Sequence, residues 1–421
     1  MKLSEVEFVS LDDFGSIRHI ASLAGKALDA QKKHLTIFVE GSTAYPNTIA
    51  PLSGLIDFYK QKGLLISLDF MNVDSSYSAT LNIENPYKVE SEDNSLYLDY
   101  PYDKVWTFET LKGETALVNA LIMAMRKTDV CNEGILSSLE WCINETMDNV
   151  IMHSKSNKGF VMAQYHKSNK LFSFSVFDYG IGIYNSFMNS KHHPRTRADA
   201  ITLALREKVT RDDAVGQGNG LWGLHQIIES GGGTLKISSD GAYYQMIFDD
   251  ENNPNPEPLI LPSGKSLFLP NGLGTTLIDF QMNTDKTVDI GTALNGHNLI
   301  DLWEEQLEDN KGDYVIKVSE LSQGTGTRPA ASELRNIALN LIINKKNKVV
   351  FDFSGVGTLS SSYADELFGK MIAEYGILFF NKKVEIINIS KLNASILERS
   401  VRQRMAQSYY DEVIVDDEDY N

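Results

Sequence analysis

The sequence predicts a mixed α/β and α+β multidomain protein, a central α/β sandwich with a small α/β domain at either end. Three observations carry that expectation. The chain has 421 residues, enough for two to three domains. Apolar residues make up 42% of it, so each domain can bury its own core and global disorder is excluded. Helical and strand periodicities alternate at both ends of the chain but are segregated in the middle.

The N-terminal domain is read as residues 1–104. SIRHIASLAGKALDAQ (16–31) has helical spacing, and LTIFVEG (35–41) is β-branched and aromatic, a strand. The turn STAYPN (42–47) leads to a helix, IAPLSGLIDFYKQKG (49–63), stopped by glycine. LLISLDF (64–70) is a further strand. The stretch 71–105, rich in Asn, Ser, Asp and Tyr, is read as irregular or edge structure.

The central domain is read as 105–282. ETALVNALIMAMRKT and GILSSLEWCINETMDNVIMHS are amphipathic helices. GFVMAQYHK and KLFSFSVFDYG form a strand pair joined by SNK. A polar stretch containing HHPRTR, a glycine cluster and the helix LWGLHQIIESGG follow. Then come the strands GTLKISSD, AYYQMIFD and GTTLIDFQM. This order is an α+β sandwich, not an alternating dinucleotide-binding pattern.

A linker at 283–312 precedes the C-terminal domain, 313–421. There DYVIKVSEL, KVVFDFSG and KKVEIINI are strands, while ASELRNIALNLIINKK and SSYADELFGKMIAEYG are helices. The acidic end, DEVIVDDEDYN, is expected to be a frayed, solvated tail. The two outer segments share one layout: helix, strand, Ser-containing turn, helix, strand. LTIFVEGSTAYPNTIAPLSGLIDFY and KVVFDFSGVGTLSSSYADELFGKMI align this way, as a weak internal repeat or as two unrelated α/β layers.

With 56 acidic against 39 basic residues, the formal net charge is −17. That argues against a nucleic-acid protein working through a broad basic face. It leaves open an anionic nucleotide, which backbone amides, helix ends and a metal ion hold locally. Cys131 and Cys142 are too few for a disulfide scaffold and fit no zinc spacing. No basic-then-apolar leader begins the sequence, and no apolar run approaches the ~18–20 residues of a membrane span. A cytoplasmic protein without membrane association is expected.

Four clusters carry candidate chemistry. Glu145, Asn149 and His153 lie at i, i+4 and i+8 on one helix face. A carboxylate there can polarise a water or hydroxyl, and a carboxamide oxygen can ligate Mg²⁺; a solvated polar face has the same spacing. Asp178, Gly180 and Gly182 follow an apolar strand. An acid at a strand end can accept a hydrogen bond from an exocyclic amine, and the glycines admit close backbone approach; an ordinary Asp-Gly turn reads the same. Gly216, Gly218 and Gly220 open a helix, where free amides attract an anion. No G-K-[ST] follows, so this is not a Walker loop. Gly274-Thr275-Thr276 leads into a strand and says little alone.

In this order, E-x-x-x-N, D-x-G-x-G, G-x-G-x-G-L and G-T-T resemble the nucleotide-binding boxes of the GHKL superfamily. That family comprises gyrase-type, chaperone-type, histidine-kinase and MutL-type ATP-binding domains. The resemblance covers about 105–282 and implies the Bergerat ATP fold, with ATP and Mg²⁺ as cofactors. By matching position it implies Glu145 as general base or water-orienting residue and Asn149 as the Mg²⁺ ligand. Asp178 would read the adenine amine, with Gly180 and Gly182 beside the base and Thr276 supporting that side. Gly216, Gly218 and Gly220 would cradle phosphates. The span 184–215 would be the ATP lid, carrying Arg195, Arg197, Arg206, Lys208 and Arg211, or else a solvated loop. His153 makes the helix look more like the kinase and anti-sigma branch.

The C-terminal segment resembles STAS-like domains, the fold of anti-sigma-factor antagonists, through Phe351-Asp352-Phe353-Ser354 and Leu359-Ser360-Ser361-Ser362-Tyr363-Ala364-Asp365. Ser361 falls near the phosphorylatable serine of that family, although Tyr363 replaces the usual glycine. The N-terminal segment is a candidate second domain of this kind. Bottom-up, Ser360–Ser362 are first of all N-cap candidates. Together these resemblances imply an ATP-dependent regulatory switch acting on the STAS-like domains, a protein partner or a second copy. Alternatives are a serine protein kinase of the anti-sigma type, with Ser361 as candidate acceptor, and an ATP-sensing scaffold without turnover. A histidine kinase is disfavoured because His19 lacks a phosphoacceptor box.

Overall fold

The computed structural model describes residues 8–10, 14–40, 44–71, 79–90, 100–156, 158–188, 192–206, 220–248, 257–261, 274–294, 307–309, 311–345 and 347–418. Among the described residues it is a mixed α/β fold with three sheets. Two compact units divide it, one of Met1–Ile122 and Ser137–His297, the other of Met123–Leu136 and Asn298–Asn421.

The first unit begins with β1 (Phe8–Ser10), α1 (Phe14–Asp29), β2 (His34–Glu40), α2 (Pro46–Gln61) and β3 (Leu65–Met71). The three strands are parallel, in the order β1-β2-β3. An eight-stranded sheet follows in the order β10-β9-β8-β11-β7-β6-β5-β4. Its strands are β4 (Tyr87–Val89), β5 (Val105–Phe108), β6 (Gly159–His166), β7 (Leu171–Asp178), β8 (Thr234–Ser239), β9 (Ala242–Ile247), β10 (Leu259–Leu261) and β11 (Thr276–Asn283). All its pairings are antiparallel except β4 with β5. Further helices of this unit are α3 (Leu111–Thr128), whose last turns fall in the second unit, α4 (Ile135–His153), α5 (Gly182–Phe187), α6 (Arg197–Ala204) and α7 (Gly220–Ser230), with a single helical turn at Ile290–Ala293.

Strand alternation gives this sheet two working faces. Val176 and Ile278 face α4 and α7, beside Val150 and Leu221. Phe177 and Leu277, one residue along, join Phe160, Met162 and Val105 in a core with α1 and α2. Helix α2 is buried along most of its length, as expected of a helix covered on more than one side. It comes close to the sheet at Gly54, where an added Cβ would lie 2.4 Å from the Phe177 ring. The sequence boundary at 104/105 therefore does not coincide with a break in packing: the segment 1–104 supplies edge strand β4 and covering helix α2 to the unit that holds most of 105–282.

The second unit repeats the element order of the chain's start. Strands β12 (Tyr314–Lys317), β13 (Val349–Asp352) and β14 (Val384–Ile387) are parallel in that order. Between them run α8 (Arg328–Lys345), α9 (Ser361–Ala364), a π-helical turn at Asp365–Gly369 and α10 (Lys370–Tyr375). The expected frayed acidic tail is instead part of a helix, α11 (Lys391–Glu418). No glycine or proline follows Gly376, so nothing in the sequence interrupts that helix. Arg404 on α11 pairs with Asp365 (2.6 and 2.8 Å), which ties the helix to the π turn.

Candidate functional site

Helix α4 places Glu145 and Asn149 one turn apart. Asn149 donates its Nδ2 to the Glu145 carbonyl, so the other pole of its amide is an oxygen. Glu145 faces the start of α7: a Cβ on Gly220 would lie 2.5 Å from Glu145 Oε2 and 3.9 Å from Asn149 Nδ2. Only glycine leaves that carboxylate where it is. Burial, with the Asp148 carboxylate adding to it, pushes Glu145 up to about 7.

Asp178 closes β7 and is buried. Its Oδ1 accepts the Gly180 N–H at 2.8 Å, an Asx turn that orients the carboxylate. The next residues are wedged between the backbones at Ser154 and Gly274 and the Asp240 side chain. A Cβ on Gly180 would lie 2.0 Å from the Ser154 carbonyl, which itself accepts the Ile181 N–H at 2.8 Å. Gly182 has φ +72° and sits against Asp240, whose carboxylate a Cβ there would meet at 2.1 Å. Ser239 Oγ accepts the Ile183 N–H (2.9 Å) and donates to the Thr275 carbonyl (3.0 Å). A Cβ on Gly274 would strike the Ile181 backbone at 2.0 Å. Thr276 then pairs with Asp178 across β11 and β7.

These elements line a pocket that is partly open to solvent, with Asn149, Asp178, Gly182 and Thr276 in its wall beside Leu221 and Ile278. Residues from three of the four sequence clusters thus meet at one cavity, and Gly220, from the remaining cluster, lies against Glu145 and Asn149 at its flank. Gly180 forms the turn behind it. Gly216, Gly218, Lys208 and Arg211 lie outside the described residues, whereas Arg197 starts α6 behind a Thr196–Asp199 capping box. His153 is the last residue of α4.

Sequence reasoning missed two carboxylates beside Glu145. Glu114, on α3, and Asp148 share a hydrogen bond, and burial first, then their proximity, raises Glu114 above the ordinary glutamate range. Asp148 stands inside the cluster that was read, three residues after Glu145; Glu114 has no local signal. Asp240 was also missed, although Asp240-Gly241 is a two-residue hairpin signal, and both residues have positive φ. Between pH 4.5 and about 7 the folded chain holds protons on these carboxyls that the unfolded chain has released. Stability therefore falls as pH rises through that window. In metal-free protein, Glu114→Gln is expected to flatten the fall in melting temperature between pH 5 and 8. An unchanged slope would show that Glu114 takes no part.

In the second unit, Ser360 is the N-cap of α9, accepting the Tyr363 N–H at 3.0 Å, and Ser361 is the exposed first helical residue. Tyr363 is fully buried, its hydroxyl 2.7 Å from Ser322 Oγ. Glu366 is buried and held by Arg335 and Lys370, both at 2.9 Å. Its neighbour Asp365 is held well below the usual carboxylate range by Arg404.

Among the described residues no helix is long and apolar enough to cross a membrane, and no three His, Cys, Asp or Glu side chains are grouped to hold a metal ion. No curated protein matches the chain. Residues 330–394 match the family model described as a STAS-like domain of unknown function (DUF4325), a span from the start of α8 to the start of α11. The second unit of this protein thus carries a STAS-like domain.

Proposed function

We propose that residues 105–282 form a GHKL-type (Bergerat-fold) ATP-binding domain, and that the protein is an ATP- and Mg²⁺-dependent regulatory ATPase acting on its STAS-like domain or on a protein partner. One observation carries the reading: Asn149, Asp178, Gly182 and Thr276, up to 127 positions apart, line a single pocket. In this reading the buried Asp178 accepts the exocyclic amine of adenine. The Gly180–Gly182 turn lets the base approach backbone, and Thr276 supports the same side. The amide opening α7 at Gly220 would be available to the phosphates.

The donor set fits Mg²⁺. With Nδ2 committed to the Glu145 carbonyl, Asn149 offers an oxygen, the donor this ion prefers. One protein oxygen suffices where substrate phosphates supply others, in keeping with the absence of a three-residue ligand cluster among the described residues. When bound, the ion would neutralise phosphate charge on a chain of net charge −17. Glu145 would orient the attacking water and accept its proton.

The exposed Ser361 at the start of α9 supports a second reading, a serine kinase of the anti-sigma type, in which Glu145 activates a hydroxyl in place of water. Labelled ATP with Mg²⁺ separates the two. Phosphate release without protein labelling is expected of the switch, and Glu145→Ala is expected to lower that release by about 100-fold or more while ATP remains bound. Label that disappears in Ser361→Ala favours the kinase. Release unchanged in Glu145→Ala would remove Glu145 from the chemistry.

A further inference from the structure

The residues on either side of Asp178 point away from the pocket, and one of them is held by the N-terminal segment. Tyr179 donates its hydroxyl to Asp57 Oδ2 on α2 at 2.7 Å. Gln61, one turn along the same helix, donates Nε2 to Asp57 Oδ2 (3.0 Å) and to the Tyr179 oxygen (2.9 Å). Lys158, just before β6, pairs with Asp57 Oδ1 at 2.9 Å. The Tyr179 ring is flanked by Phe58 of α2 and Phe160 of β6, with centroids at 5.8 and 5.9 Å. On the preceding residue, Gly54 of α2 lies against the Phe177 ring. Helix α2 thus grips the strand end immediately before and immediately after Asp178.

The Asp178 carboxylate stands at the end of β7, two residues before Gly180. The Asx turn to Gly180 sets one oxygen, and Tyr179 is the residue inside that turn. We propose that Asp57 is a positioning residue for base selection: by holding Tyr179, it keeps the Asp178 carboxylate in the attitude that accepts an exocyclic amine and disfavours a base carrying a carbonyl there. The inference rests on the nucleotide reading above and extends it to the segment 1–104, which would be a working part of the site.

Selectivity is the readout, because loss of stability alone weakens all nucleotides together. Affinities of the full chain for fluorescent ATP and GTP analogues would be compared among wild type, Tyr179→Phe, Asp57→Ala and Asp57→Asn, each checked for a cooperative melt. Wild type is expected to prefer ATP. Asp57→Ala and Tyr179→Phe should each lower the ATP-to-GTP preference by about tenfold, roughly one hydrogen bond's worth. Asp57→Asn keeps an acceptor oxygen for the Tyr179 hydroxyl and should restore most of the preference. An unchanged ratio in Tyr179→Phe and Asp57→Ala, whatever the absolute affinities, overturns the role of Asp57 and leaves nucleotide binding standing. A folded wild type that binds neither analogue overturns both.

Discussion

Asp178→Ala protein is expected to bind ATP about 100-fold more weakly than wild type. A hydrogen bond to a charged group contributes about 1.5–3 kcal/mol, and each 1.4 kcal/mol is tenfold in affinity. Asp178 is buried, so no water-exposed alternative replaces it when the side chain is removed. The substitution also deletes the Oδ1 acceptor of the Gly180 N–H and so loosens the turn that carries Gly182. Asp178→Asn keeps an acceptor oxygen and should fall between the two. Calorimetric titration at fixed Mg²⁺ checks this; a change of less than about threefold in the alanine variant would remove Asp178 from base recognition.

Asn340→Ala is expected to destabilise the second unit by about 3 kcal/mol or more. Asn340 is fully buried on α8. Its Nδ2 donates to the carbonyls of Arg126 (3.2 Å) and Asp129 (3.0 Å), and its Oδ1 accepts the Cys131 N–H (2.9 Å). Asn336, one turn earlier on the same face, donates to the Lys127 carbonyl at 2.8 Å. Together they satisfy carbonyls that the C-terminus of α3 leaves without helical partners. Each buried backbone group stripped of its partner costs about 1–3 kcal/mol. Asn336→Ala, which strips one such group instead of three, should cost less. Urea denaturation followed by circular dichroism measures both; equal, small effects would contradict this account of the α3 terminus.

Much of the site can be read locally. Glu145 and Asn149 fall at helical spacing in a stretch with a clear apolar face, and Asp178 ends a mostly apolar strand, LFSFSVFD. Thr276 opens the next strand, which pairs with β7. Between 105 and 282, periodicity gives α3, α4, β6, β7, α7, β8, β9 and β11, but not the short strands β5 and β10 or the helices α5 and α6. What could not be read is long-range. Strand β4 is the three residues Tyr87–Val89 in a stretch with no alternation, and it is parallel pairing with β5 that defines it. Asp57 and Tyr179 are 122 positions apart, and neither has a motif. Gly182 and Asp240 meet only because the β8–β9 hairpin turns beneath the first glycine turn. At the C-terminus, the acidic cluster that ends DEVIVDDEDYN suggested a frayed tail, whereas the helix continues to Glu418.

The repeated layout of the two outer segments also became sharper. Both are three parallel strands in chain order with intervening helices, although residue identity between them is low. Shared topology of such small α/β layers does not imply shared function. The STAS-like family match covers the second of them alone, at 330–394.

The central claim, that the first unit binds ATP with a divalent cation, is tested most directly by isothermal titration calorimetry of the full chain with ATP, with Mg²⁺ and then with EDTA. The account predicts one saturable site per chain in Mg²⁺, weakened at least about tenfold in EDTA because an acidic protein needs the cation to hold a polyanion. A folded chain that takes up no ATP in Mg²⁺ would contradict it.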